Sequence, residues 1–346
     1  MTDNDNSKKN AGAAPSGATI YDIANLAGVN PSTVSRALST PGRISAKTEA
    51  KIRAAAEQLN YRVNPFARAL PTGRTKLLAL TITDITNPVF FDVVRGAEQV
   101  AAESGYTLLL AESAESTATE SKTLQRILPM VDGLIMATTR IGDDEIQSIN
   151  SSKPIILVNR HVEGVVDVVP DIEQGIIDAV QHLKDLGHKH IAFLAGPLNS
   201  WMNTARWNLI MREAIAAGLT AVEIGPNAPT LATGRESLDR IRAAGVTAVI
   251  TYNDLMAIGL LRQAAEAGIS VPNDLSIIGF DNSFGSDFTS PPLTTIGQPL
   301  LETGERATRT LLAILDGDAD ASIAAMEAPR LKTSLIVRGS TAKPRG

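Results

Sequence analysis

Along most of the chain, short apolar runs alternate with amphipathic stretches. From Leu77 onward, LLALTIT, TLLLAE, GLIMAT, PIILVN, IAFLAG, AVIT and LSIIGF have the length and composition of buried strands. Between them apolar positions recur at helical spacing, for example over 88–103, 171–186, 205–217 and 254–267. Repeated strand–helix units of this kind predict parallel sheets covered on both faces. The stretch is long for one doubly wound sheet, so two similar lobes are expected. Before Leu77 the pattern is helical only. Thr19 and Asp22 have capping-box spacing ahead of a helix over 20–26, with Ile23, Ala24 and Ala27 turned inward. Gly28 supplies a turn, Asn30 can cap the next helix, and Pro31 suits its first position. Val34 and Leu38 face inward on that helix. Ser45 caps a third, whose apolar stripe is Ile52, Ala55, Ala56 and Leu59.

These patterns divide the chain into a disordered tail (1–16), a three-helix module (17–62), a short helix and linker (63–74), a body (75–340) and a flexible tail (341–346). In the linker, NPFARALPTGRT allows Asn64 to cap and Pro65 to start a helix of two short turns. Such a helix is unstable alone in water and would order on binding.

Charge sharpens this division. The formal net charge of the 346 residues is −5, yet from Gly17 to Lys76 nine basic residues stand against three acidic ones. A small basic module therefore sits beside a strongly acidic body, and its contacts with a polyanion should be salt-dependent. There is no cysteine, which excludes disulfides and thiolate chemistry. The N-terminus has no secretory apolar region, and no run is long and apolar enough to span a bilayer. A cytoplasmic protein with no membrane partner is expected.

Helix, short glycine turn, second helix and supporting third helix form the helix-turn-helix plan. The second helix of that plan enters the major groove by its N-terminal end. Its outer face here carries short hydroxyl side chains and Arg36, which can bond guanine bidentately. The alternative is a three-helix bundle with a polar surface. The run ATIYDIANLAGVNPSTVSRALSTPGRISAKTEAKIRAAAEQLNYRVNPFARALPTGRT decides between them. It resembles the headpiece of the lactose-repressor (LacI/GalR) family of bacterial transcription regulators, through T-I-Y-D-I-A, A-G-V, T-V-S-R, LNY and N-P-x-A-R-x-L.

The resemblance implies roles for particular residues. Pro31 and Ser32 occupy the two base-discriminating positions at the start of the recognition helix, and Arg36 the base-contacting arginine. Thr19, Tyr21, Ser35 and Ser45 fall where the family touches phosphates. Asn64 opens the hinge helix, and Leu70 matches the leucine that wedges into the minor groove and kinks the operator. Pro31 departs from the tyrosine or threonine often found there and offers only an apolar contact.

In the body, ligands are expected outside the carboxyl ends of the strands. Carboxylate, carboxamide, guanidinium and aromatic groups gather after the predicted strands, a set suited to a polyhydroxylated ligand. Each of these alone also serves as a turn or cap residue, Asn87 and Asn253 especially. The segments TDITNPVFFDVVRGAE, VDGLIM, LVNR, HLKDLGHKHIAFLAGP, TYNDLMAIGLL, IIGFDN and PPLTTIGQP continue the resemblance, to a core similar in fold to periplasmic sugar-binding proteins. The fold class expected is thus a small all-α headpiece plus a two-lobed α/β core of two doubly wound parallel sheets.

By position, Arg206, Asn253, Asp281 and Gln298 match effector-contacting residues of the family. Phe90 and Phe91 match the aromatic edge of its pocket, Asn159 and Arg160 a further contact segment, and Trp201 offers an extra stacking platform. Ile210 and Met211 replace the Gly-Phe usual after Arg206. Ser200 and Met202 replace the polar pair that a purine repressor uses, which argues against a purine base. The resemblance places an N-lobe at about 76–170 and 299–328 and a C-lobe at about 171–298 and 329–340. RGSTAKPRG lacks the apolar heptads of a tetramerisation tail, so a homodimer is expected.

The reading is a dimeric repressor of a near-palindromic operator, controlled by a small effector: a sugar, sugar phosphate or nucleoside. No cofactor and no metal are expected: His182, His188 and His190 do not share one helical face. Catalytic residues are likewise not expected, since no activated nucleophile or phosphate loop is present. The rivals are a periplasmic-type sugar-binding protein, which needs a signal peptide and no basic head, and a sugar- or nucleoside-processing enzyme.

Overall fold

The computed structural model describes residues 18–39, 43–61 and 73–345. The chain divides into two compact units, residues 1–75 and 76–346. In the first, α1 (Ile20–Ala27), α2 (Pro31–Ser39) and α3 (Ala46–Gln58) enclose a small core of Ile23, Ala24, Val34, Ala37, Ile52 and Ala55. The start of each helix is capped as the sequence predicts. The Thr19 backbone donates to Asp22 Oδ2 at 2.7 Å and the Asp22 backbone to Thr19 Oγ1 at 3.4 Å, closing the capping box. Asn30 Oδ1 accepts from the Ser32 backbone at 3.2 Å, and Ser45 Oγ from the Thr48 backbone at 3.3 Å. Gly28 ends α1 with φ of 65°, a left-handed conformation that a side chain would strain. The hinge segment, with Asn64 and Leu70, lies outside the described residues.

The second unit holds two sheets. In chain order its elements are β1 (Leu77–Ile82), α4 (Val89–Glu103), β2 (Thr107–Glu112), α5 (Thr117–Ile127), β3 (Gly133–Ala137), α6 (Asp143–Ser152), β4 (Ile155–Val158) and β5 (Asp167–Val168). They continue with α7 (Glu173–Asp185), β6 (His190–Leu194), α8 (Trp201–Ala217), β7 (Thr220–Ile224), α9 (Leu231–Glu236), α10 (Leu238–Ala243), β8 (Ala248–Thr251) and α11 (Asp254–Glu266). The last are β9 (Ser276–Asp281), β10 (Thr294–Gly297), α12 (Leu300–Asp316), α13 (Ala319–Glu327) and β11 (Ser334–Ile336). The sheet orders are β2-β1-β3-β4-β5 and β11-β10-β9-β8-β6-β7. All pairings are parallel except β10 with β11. Strand order reverses between β1 and β3 in one sheet and between β6 and β8 in the other, and these reversals open a crevice at the strand ends.

The seven strands read from the pattern are present, with ends within a residue or two. β5, β7, β10 and β11 were not among them. β5, β7 and β11 are short edge strands, partly exposed, and β10 is half threonine, so none forms an apolar run. The segment after β10 returns to the first sheet: Leu300, Ala307, Leu311 and Leu331 join the core built on β1 and α4. There α12 meets α4 backbone to backbone. A methyl at Gly96 would lie 2.1 Å from the Leu301 carbonyl oxygen, and one at Gly304 2.0 Å from that of Val93.

The flexible tail expected after residue 340 is instead held. His182 Nε2 bonds Thr341 Oγ1 at 2.9 Å, the Ala342 carbonyl accepts from Ser276 Oγ and pairs with His188 Nε2, and Arg345 bonds Asp274. Burial pushes the pKa of His182 and of His188 down, favouring the neutral rings in this contact.

Candidate DNA-reading face and ligand cleft

Helical periodicity sorts the residues of α2. Val34 and Ala37 are buried, while Ser32 and Arg36, four apart, are exposed on the other side. Arg36 forms no hydrogen bond or ion pair among the described residues. Pro31 and Ser35 flank this face half-buried, and Thr19 and Tyr21 are exposed at the start of α1, Tyr21 at 64%. An exposed tyrosine, the Ser32 hydroxyl at the start of α2 and Arg36 in its last turn suit phosphates and base edges. Thr19 and Ser45 also cap helices, so their positions are fixed before any ligand arrives.

In the second unit, the ends of β1, β3 and β4 face those of β8 and β9 across a cleft. It is lined by Asn87, Phe90, Glu115, Arg140 and Asn159 on one side and by Met202, Arg206, Tyr252, Asn253 and Asp281 on the other. The cavity left is about 30 Å³, room for roughly one water. A larger groove of about 460 Å³ beside β5 holds none of the predicted effector residues.

Arg206 organises the C-lobe wall. It is 3% exposed, and its guanidinium lies 3.7 Å from the Phe280 ring centroid and 4.9 Å from that of Tyr252. One terminal nitrogen donates to the Tyr252 carbonyl and the other to Asp281 Oδ1 at 3.2 Å. Its Nε is buried and has no protein partner. Asp281 also accepts from Gln298 Nε2 at 2.6 Å, and its φ of 111° turns the chain sharply at the end of β9. Behind it lies Asp254, fully buried, accepting from the Ser283 backbone at 2.7 Å, Ser283 Oγ at 3.1 Å and Thr295 Oγ1 at 2.6 Å. Burial, and then the charge of Asp281, raises Asp254 to about 7. Burial raises Asp281 to about 6, although Arg206 pulls the other way. Two buried carboxylates beside one arginine cannot both ionise cheaply.

The remaining predicted residues separate. Phe90 and Asn159 line the cleft; Asn159 sits just after β4 with φ of 59°, and its Oδ1 is buried without a partner. Asn253 lines it too, but both ends of its amide are used, by the Met256 backbone at 3.0 Å and the Pro229 carbonyl at 3.0 Å. It is a helix cap first, and Asn87 accepts from the Val89 backbone just ahead of α4. Gln298 touches the cleft only through Asp281. Three residues are not brought to it. Phe91 is 47% exposed and meets Phe284 with ring centroids 6.4 Å apart, Trp201 packs against the C-lobe core, and Arg160 pairs with Asp143 at 2.5 Å. Arg140, Glu115 and Thr138 were missed by sequence reasoning. Each follows the end of β2 or β3 closely, so applying the strand-end rule to those two strands would have found them.

A basic three-helix reading head and a two-lobed core with a polar cleft define a ligand-responsive DNA-binding regulator rather than an enzyme. The comparisons give the particular family. Residues 19–64 match the model of the bacterial regulatory proteins of the lacI family, and residues 180–341 that of the periplasmic binding protein-like domain. The HTH-type transcriptional repressor CytR of Escherichia coli (strain K12) is 32% identical, with 94% of this chain and 96% of that protein covered. A Lac repressor dimer bound to operator and the anti-inducer ONPF superimposes with a TM-score of 0.82 at 26% identity, over 94% of this chain and all of that one. A LacI family transcriptional regulator from Enterococcus faecium with bound ribose gives 0.67 at 28% identity, over 78% of this chain and all of that one. The chain belongs to the LacI family of bacterial transcription regulators. Among the described residues no helix is long and apolar enough to cross a membrane.

Proposed function

We propose that this regulator is a repressor that binds a near-palindromic operator as a homodimer and is controlled by a polyhydroxylated effector, a sugar or nucleoside-type metabolite, in the cleft. The observation that carries the effector reading is the pair of unsatisfied groups on opposite walls. Arg206 Nε is a donor without an acceptor and Asn159 Oδ1 an acceptor without a donor. A ligand hydroxyl can satisfy either, because a hydroxyl donates and accepts. Leaving such groups buried and unmade costs free energy that a bound ligand recovers. Asp281 beside Arg206 offers an acceptor for further hydroxyls, and the Phe90 ring on the Asn159 side offers an apolar surface for a sugar face.

At the headpiece, Ser32 and Arg36 read base edges, Pro31 offers an apolar contact, and Thr19, Tyr21, Ser35 and Ser45 hold phosphates. Asn64 and Leu70 serve the hinge, with Leu70 as the wedge. Effector binding bridges the lobes, and by linkage the effector and operator change each other's affinity by the same factor.

The test is operator binding by fluorescence anisotropy, with a site selected from random duplexes, repeated with pentoses, hexoses, their phosphates and nucleosides. A saturable change in affinity with one ligand is expected, and its sign tells inducer from co-repressor. Failure to select any site removes the DNA-reading role. A selectable site that no ligand influences removes the effector role.

A further inference from the structure

The N-lobe wall of the cleft carries a buried arginine to which the family resemblance assigns no role. Arg140, 6% exposed, lies just after β3. Its backbone N–H donates to Glu120 Oε2 at 2.8 Å, and Glu120 is itself buried and bonded by the Thr139 hydroxyl. Its side chain is held at two points within the lobe, with Nε on Glu115 Oε2 at 2.8 Å and a terminal nitrogen on the Thr138 carbonyl at 2.9 Å. Across the cleft its neighbour is the Tyr252 phenol, which also bonds Ser200 Oγ at 3.0 Å. Burial works against the charge of Arg140, but Tyr252 and Glu115 outweigh it and hold its pKa above the ordinary arginine value.

This arrangement is built and incompletely used. Glu115 and Thr138 take two of the five N–H groups of a guanidinium. The phenol supplies a single oxygen where the planar fork can engage two oxygens side by side. The Tyr252 ring lies so close on Gly196 that a Cβ there would be 2.5 Å from it, so the ring fills this part of the cleft against bare backbone. About 30 Å³ is left over, and the phenol holds the part of the cleft that adjoins Arg140.

We propose that Arg140 is a specificity-determining residue, reading a two-oxygen acceptor group (carboxylate or phosphate) on the effector, which replaces the Tyr252 phenol as its partner across the cleft. Glu115 and Glu120 are positioning residues: they fix the side chain and backbone of Arg140 from within the N-lobe. The hydroxyl-bearing part of the effector stays on Arg206, Asn159 and Asp281, so the inference rests on the cleft reading above.

The test is isothermal titration calorimetry of the full-length protein with two matched pairs, ribose against ribose 5-phosphate and glucose against glucuronate. Wild type, Arg140→Met and Arg140→Lys are compared, each checked by thermal melting. Wild type is expected to prefer the charged member of at least one pair by tenfold or more. Arg140→Met should erase that preference while binding the neutral member within threefold of wild type, and Arg140→Lys should restore part of it. A phosphate preference and a carboxylate preference are told apart by which pair responds. Preference that survives Arg140→Met overturns the proposal and leaves the cleft reading intact, as does a wild type that binds both members equally. Equal loss of both members in a variant that still melts like wild type also overturns it, by giving Arg140 a role in lobe closure only. A wild type that binds no member of either pair overturns it, and the wider ligand panel on operator binding then decides whether the cleft reading falls as well.

Discussion

Arg36 in the headpiece and Arg206 in the cleft are the same side chain under opposite conditions. Arg36 stands exposed on the outer face of α2, with no partner among the described residues. Arg206 is almost fully buried between two aromatic rings and paired with Asp281. The first is ready for a polyanion and remains hydrated until one arrives. The second has lost its water, so a partner must always be present, and that partner must tolerate a ligand beside it. Exposed charge is cheap to keep and easily screened. Buried charge is strong, costly to disturb and sensitive to the protonation of its surroundings.

Salt should separate the two sites most. Operator affinity is expected to fall about a thousandfold or more between roughly 50 and 200 mM salt, while effector affinity changes by less than about threefold. Parallel titrations by anisotropy and calorimetry check this, and equal slopes would erase the contrast. Next in size is Arg206→Met, which leaves Asp281 buried without its cation and should cost about 3–5 kcal/mol of core stability by urea denaturation. A loss below about 1 kcal/mol would mean that the pair behaves as a surface ion pair. Arg36→Ala should leave stability nearly untouched and cost about 1–3 kcal/mol of discrimination at one base pair. If every sequence weakens equally, Arg36 is a phosphate contact.

A last effect is in pH. Asp254 and Asp281 have pKa values raised to about 7 and about 6 from an ordinary value of 3.8. The folded protein therefore holds protons that the unfolded chain has released. This contribution to stability is complete below about pH 4 and lost as pH rises through 6 to 7. Urea midpoints at pH 5 and pH 8 should fall with rising pH in wild type, and Asp254→Asn should flatten the difference. An unchanged slope in the variant would place the titration elsewhere.

The headpiece was legible because its determinants are local. A capping box spans three residues, a cap and its helix adjoin, and burial follows helical period, so Thr19, Asp22, Asn30, Ser45, Val34 and Ile52 do in the fold what their spacing implied. The strands of the core were legible where they are buried and apolar. Those at sheet edges were not, because half-exposed residues such as Thr220–Ile224 carry no apolar run. The cleft was legible only as a set of strand ends. Phe91 and Arg160 stand next in sequence to Phe90 and Asn159, yet neither reaches the cleft. The neighbouring residue on a helix, or one step past a strand end, points elsewhere.

The order of amino acids by itself determined the caps, the helix faces, the buried strands and the division between a basic head and an acidic body. These depend on contacts within a turn or two and on composition. Only the tertiary structure decided that Arg206 meets Asp281, 75 residues away, that Gln298 joins them, and that Arg140 confronts Tyr252 from the other lobe. Such partners are chosen by strand order and by where each sheet reverses. A buried polar group takes whatever partner that topology places within reach.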